Sequence, residues 1–276
     1  MLERIIFAIR ESPDWEALAR DHRAGRPIDP ARYAAPRGIP SFPADIRTLI
    51  ARWNVFSRVD FFECRRQLKD IAAGLLRGVE HATIIPHSEL SELGDPPFLL
   101  FFCDDDDWFA PDLFNTLAGL DLEGIDAAVF PLVRFELNSF TLTPGGAPAR
   151  LAVGPCHPFV LRYHTNNYAL TPRACARAPL TTLLEHRAAS EAADRLGFVD
   201  RTFDVVISAT NKSPCSASLL AGVVADSDTF RGYVGEYLVR LKRLAIPPGL
   251  AWMSPPLWQT IRLFESLLPR GGRRRG

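Results

Sequence analysis

Lysine is nearly missing from this chain. Lys69, Lys212 and Lys242 stand against 29 arginines, and the 32 basic residues balance the 32 acidic ones, for a formal net charge of zero. A chain without net charge exerts no long-range pull on a phosphate backbone, and nucleic acid is not an expected partner. Cysteine is sparse and odd in number: Cys64, Cys103, Cys156, Cys175 and Cys215 include no CxxC pair. That argues against a disulfide framework and against a cysteine-ligated zinc site, and reads as a reduced, cytoplasmic chain. No run of 18 apolar residues is present, and the opening stretch Met1 to Arg10 is too soon interrupted by charge to be a signal peptide. Walker, GxGxxG, GxSxG and HExxH motifs are all lacking.

What remains is an ordinary globular composition, with 47% hydrophobic and 23% charged residues over 276 positions. It excludes a disordered chain and allows one large domain or two small ones. Ile5 to Ile9 reads as a buried strand, and Ser12-Pro13-Asp14 as the start of a helix over Trp15 to Arg20. Residues 26–44 hold five prolines and one glycine and must be mostly extended loop. Apolar spacing predicts a helix over Phe61 to Arg77, then strands at Ala82 to Ile85 and Pro97 to Cys103. Pro111 suits the first turn of a helix reaching about Leu120. Ala127 to Leu137 reads as a strand that Pro131 either breaks or confines to an edge. Phe140 to Thr143 reads as a hairpin arm and Pro158 to Tyr163 as a strand. A helix over Thr181 to Leu196 ends at Gly197, and a short strand follows at Asp204 to Ser208. Helices over Tyr233 to Leu244 and Leu257 to Leu268 complete the chain. Strands alternating with helices predict an α/β sandwich with a mostly parallel sheet.

The most informative segment is Phe101-Phe102-Cys103-Asp104-Asp105-Asp106-Asp107-Trp108-Phe109-Ala110-Pro111-Asp112. Four adjacent carboxylates repel one another unless a cation or hydrogen-bond donors compensate them. Open α/β sheets bind ligands outside the carboxyl ends of their strands, where the chain turns and side chains converge. An all-oxygen site there suits a hard divalent ion, Mn2+ or Mg2+. The alternative is a solvated acidic loop in which Asp107 or Asp112 favours a helix N-terminus.

This strand–DDDD–aromatic–proline–helix unit, about 17 residues from Phe101, resembles the DxD segment of glycosyltransferases with the GT-A fold, and more loosely that of rhamnosyltransferase-like bacterial proteins. The resemblance implies a Rossmann-like GT-A α/β/α sandwich over residues 1–228. Its donor half would lie at about 1–107 and its acceptor half at about 108–228. Residues 229–276 would be a helical extension packed on it, with a flexible Arg-Gly tail. It implies a metal-dependent transfer of a sugar from a nucleotide-sugar donor to a hydroxyl of a glycan, a lipid-linked saccharide or a small molecule. Asp106 would hold the cation with Asp104. Asp104 and Asp105 would reach the donor's ribose or sugar, Asp107 would face the transferred sugar, and Arg10 would meet the base. A bound cation would neutralise charge developing on the diphosphate leaving group.

Three further clusters fit that scheme. In His164-Thr165-Asn166-Asn167-Tyr168, the amides of Asn166 and Asn167 and the ring of Tyr168 would face the acceptor, although an Asn-Asn pair also suits a plain turn. Glu185, next to His186, is the first candidate for the general base that activates the acceptor hydroxyl, with Asp200 and Asp204 as alternatives. Lys212, in the polar loop 208–218, would meet the donor diphosphate. The apolar face Leu257, Trp258, Ile261, Phe264, Leu267, Leu268 would pack on the domain, pair with a second subunit or lie on the inner face of a membrane. Two other functions suit the same acids: a metal-dependent nucleotidyl or phosphoryl transferase, and a non-catalytic calcium-binding or interaction protein.

Overall fold

The computed structural model describes residues 4–9, 20–21, 23–26, 61–77, 82–86, 98–104, 107–136, 150–154, 162–164, 166–183, 186–210, 213 and 227–268. Among the described residues ten strands run in chain order: β1 (Arg4–Ile9), β2 (Ala82–Pro86), β3 (Phe98–Cys103), β4 (Trp108–Phe109), β5 (Ala127–Val129), β6 (Leu132–Glu136), β7 (Arg150–Gly154), β8 (Tyr168–Leu170), β9 (Asp200–Thr202) and β10 (Ser208–Thr210). The helices are α1 (Phe61–Arg77), α2 (Leu113–Ala118), α3 (Pro172–Arg177), α4 (Leu180–Leu183), α5 (His186–Leu196), α6 (Ser227–Leu241) and α7 (Ser254–Leu267), with a 3-10 turn at Pro248–Met253.

Six strands form one sheet in the order β2-β1-β3-β8-β5-β9. Every residue of β3 is buried, as its unbroken apolar run requires. Successive side chains of β1 and β3 face opposite layers. Ile5, Phe7, Leu99, Phe101 and Cys103 pack with Ala72 and Leu76 of α1 and with Leu113 and Leu117 of α2. Ile6, Ala8, Phe98, Leu100 and Phe102 pack with Tyr163, Ala174, Leu183 and the alanines of α5. The helix α1 presents Cys64, Leu68, Ala72 and Leu76 to the core, one residue per turn. At the far end of the chain, α7 lies against both α6 and α1. Among the described residues no helix is long and apolar enough to cross a membrane.

The sheet is mixed rather than mostly parallel. β1 runs parallel to β2 and β3, and β5 to β9, but β8 runs antiparallel to both of its neighbours. The cause is local. The backbone N–H of Asn166 donates to the carbonyl of Phe102 at 3.0 Å, so the chain enters the sheet from the carboxyl end of β3 and must run back down it. A second sheet, β4-β10-β6-β7, stands beside the first. Its β10 is antiparallel to β4 and parallel to β6.

Two expected boundaries move. The stretch Ala127 to Leu137 is two strands in two sheets, parted at Pro131, where a missing N–H interrupts the ladder. Asp204 lies between β9 and β10 rather than in a strand, and of the expected helix over 181–196 the described residues fall in α4 and α5. Gly197 ends α5 in a left-handed conformation, φ +61°. There Phe198 N–H reaches the carbonyl of Ala193 and Gly197 N–H that of Asp194, the paired bonds of a glycine C-cap. The expected segments at Trp15 to Ala19, Phe140 to Thr143 and Pro158 to Leu161, and nearly all of the proline-rich stretch 26–44, fall outside the described residues.

Candidate active site at the carboxyl end of the third strand

The chain passes from β1 to β2 on one side and returns to β3 on the other, so β1 and β3 flank a topological switch point. Ile9 is in register with Cys103, and both strands end there. The acidic run begins at the next residue. Switch points of this kind open a crevice outside the strand ends, where loops leave in opposite directions.

Two segments that are far apart in sequence meet at this crevice. The backbone N–H of Asp104 donates to Asn166 Oδ1 at 2.7 Å. The same amide's Nδ2 donates to Asp107 Oδ2. Ser208 Oγ, from β10, donates to the carbonyl of Asn166 at 2.5 Å. Asn166 holds φ at +70°, a region that asparagine tolerates better than most residues because of its short polar side chain. It therefore clamps both ends of the acidic run, and Asp107 is buried in doing so. The next residue, Asn167, closes the turn, its Oδ1 accepting from His164 N–H at 2.8 Å. Its Nδ2 is buried with no partner among the described residues. Phe130 N–H donates to the Asn167 carbonyl at 2.7 Å, which ties the turn to the start of the β5–β6 break.

Tyr168, expected at the acceptor, packs its ring in the core. It stacks on Tyr163 at 4.6 Å between centroids and lies 5.3 Å from Phe102. His164 stacks on His186 at 5.5 Å, which sets the first residue of α5 beside the asparagine turn. Glu185, Arg10, Asp105, Asp106 and Lys212 lie outside the described residues.

Of the two alternative bases, Asp204 is exposed. Asp200 is held by its neighbours: Arg162 Nε donates to it at 2.5 Å and the Tyr163 hydroxyl at 2.8 Å. Burial, and then the charge of Asp200, push the Tyr163 hydroxyl well above the ordinary tyrosine range, so it stays a donor. Arg162 also reaches Asp194 and the Phe198 carbonyl, fastening the start of the asparagine loop to the end of α5. A second anchor is Asp126, fully buried just before β5. It accepts from Arg177 at 2.7 Å and from Val199 N–H at 2.8 Å, with Arg173 at 3.3 Å. Neither anchor was visible in the sequence. Arg162 is 38 residues from Asp200 and Arg177 is 51 from Asp126, with no local pattern to join them.

The donor set available for a cation is oxygen. Asp104 is half-buried at the rim. Cys103, one residue back, offers no thiolate: burial first, and then the charges of Asp104 and Asp107, push its thiol well above the usual range. The carboxylate oxygens of the acidic run suit Mn2+ or Mg2+ and not a thiolate-loving metal. Among the described residues no group of three or more His, Cys, Asp or Glu is placed to hold a metal. The thiol can be checked directly. Thiolate is the reactive form; burial also pushes Cys175 up to about 12. In a brief iodoacetamide pulse at neutral pH, followed by peptide mapping, both cysteines should stay unlabelled in the native protein and label in urea. Rapid native labelling of Cys103 would contradict the packing described.

One solved structure resembles this chain, an inositol-1-phosphate CTP transferase from T. maritima. The alignment covers 82% of this chain and 99% of that one, at 11% identity and a TM-score of 0.34. That likeness is too slight to assign an activity. No protein-family model and no curated protein matches the chain.

Proposed function

We propose that this chain is a metal-dependent transferase whose donor carries a nucleoside diphosphate, and that it moves a sugar from that donor to a hydroxyl acceptor. The observation that supports this reading best is the Asn166 clamp, which holds Asp104 and Asp107 together at the β1/β3 switch point. A solvated acidic loop has no need of a buried amide bonded to both of its ends.

In this reading Asp104 and Asp106 would hold Mn2+ or Mg2+, which would supply Lewis-acid neutralisation of charge on a diphosphate. The remaining roles belong to the chain itself. Asp105 and Arg10 hold the nucleoside, and Lys212 supplies charge to the phosphates. Asp107, fixed by Asn166, faces the transferred group. Glu185 takes the proton from the acceptor hydroxyl as it attacks. The acceptor is a glycan, a lipid-linked saccharide or a small molecule.

The test is a thermal-shift screen with MnCl2, comparing nucleotide-sugars with nucleoside triphosphates, in wild type and in Asp106→Ala. Stabilisation by a nucleotide-sugar, lost in chelator and in the variant, is expected. Stabilisation by a triphosphate and by no nucleotide-sugar would replace sugar transfer with nucleotidyl transfer. Stabilisation by calcium alone would make the acids a structural ion site.

A further inference from the structure

The second sheet carries a cation with no role in the account above. Arg134 stands in the middle of β6, a strand that otherwise buries Leu132, Val133 and Phe135. Its Nε is buried with no hydrogen-bond partner, and no ion pair to Arg134 occurs among the described residues. A shielded guanidinium N–H without an acceptor is costly, and its natural complement is an oxyanion.

Register shows which way this side chain faces. Thr210 is opposite Arg134, and Trp108 is opposite Ala209. Carried one residue further, the antiparallel β4–β10 pairing sets Asp107 opposite Thr210. Thr210 and Arg134 thus lie in one row, Asp107 stands just before β4 at the end of that row, and residues in one row share a face. That face is the one turned to Asn166, because Asp107 and Ser208 both bond to it. Gly154 agrees with this placement. It pairs with Leu132, two residues from Arg134 and on the same face, and a Cβ built on it would lie 3.8 Å from Arg134 Nη2. With two strand spacings between them, Asp107 and Arg134 are about 10 Å apart at the backbone.

The site therefore has an acidic end and a cationic end on one face. We propose that Arg134 is an oxyanion-binding residue of this site, taking a phosphate group of the donor at the end of the row remote from Asp107. The assignment rests on reading the crevice as a site for a phosphorylated donor. A cation at the acids and the guanidinium at the other end would then grip a pyrophosphate between two positive charges. The planar fork of arginine suits two oxygens of one phosphate, which a lysine at this position could not match.

The probe is inorganic pyrophosphate, titrated calorimetrically into the full-length chain with MnCl2 and, separately, with EDTA. Arg134→Gln is expected to weaken binding roughly ten- to a hundredfold in whichever condition shows it. Arg134→Lys keeps the charge and should weaken binding less, while its melting temperature reports whether the fold is intact. Equal affinity in wild type and in folded Arg134→Gln or Arg134→Lys would overturn the assignment, as would no binding to wild type in either condition. If pyrophosphate binds through Arg134 but no nucleotide-sugar or triphosphate stabilises the protein, the arginine assignment stands and the transferase reading fails.

Discussion

Asn166→Ala is expected to lower stability by about 3 kcal/mol, with loss of any ligand-induced stabilisation at the acidic crevice. Two effects add. The substitution removes the hydrogen bonds that the Asp104 N–H and the buried Asp107 carboxylate make to the amide, at about 1 kcal/mol each. It also places alanine at φ +70°, a left-handed conformation that costs roughly 1 kcal/mol outside glycine and asparagine. Asn166→Gly separates the two, since glycine accepts that φ and should be milder by about 1 kcal/mol. Asn166→Asp keeps the shape but sets a second carboxylate against Asp107. It should be most destabilised at neutral pH and recover partly in acid, where protonating one carboxyl relieves the repulsion. Urea unfolding at two pH values measures all three. Wild-type stability in the alanine variant would mean that the clamp does not hold the loop.

Asp126→Ala should cost about 3 kcal/mol, because it removes a buried charged acceptor shared by a backbone N–H and two guanidinium groups. Val199 N–H would lose its side-chain acceptor outright, whereas Arg177 keeps the Leu196 carbonyl and Arg173, half-exposed, the Gly124 carbonyl. For a chain of this size that corresponds to a fall in melting temperature of roughly 5–10 °C. Asp126→Asn keeps an acceptor for Val199 N–H and should cost about half as much. The backbone carbonyl of residue 126, which accepts from Thr171 N–H at 2.9 Å, is kept in the variant, so the β5–β8 pairing should survive the substitution. A melting temperature unchanged in Asp126→Ala would show that solvent replaces the lost contacts.

The elements legible in the sequence were those whose cause is local. The helix Phe61–Arg77 followed from apolar spacing within its own span, and β3 from an unbroken apolar run. Pro131 marked a real break, and Gly197 a real helix end. What could not be read depends on partners distant in sequence. β8 is three residues long, too short for a periodic signal, and its direction is set by a turn bonded to β3. Asn166 and Asp104 are 62 residues apart, so the asparagines and the aspartates appeared as two separate clusters rather than one. Arg134 was hidden in an apolar strand, where its meaning comes from register with Thr210.

The acids at 104–107 also form a tether. Cys103 ends β3 in one sheet and Trp108 begins β4 in the other. Asp104 and Asp107 stand next to those two ends, so the spacing between them is inherited from how the two sheets dock. Trp108 meets Phe135 edge-on at 5.1 Å, well inside the second sheet. Trimming that aromatic pair would loosen the second sheet's hold on Trp108, and with it the placement of Asp107, and so detune a ligand's grip without altering a single group that touches it.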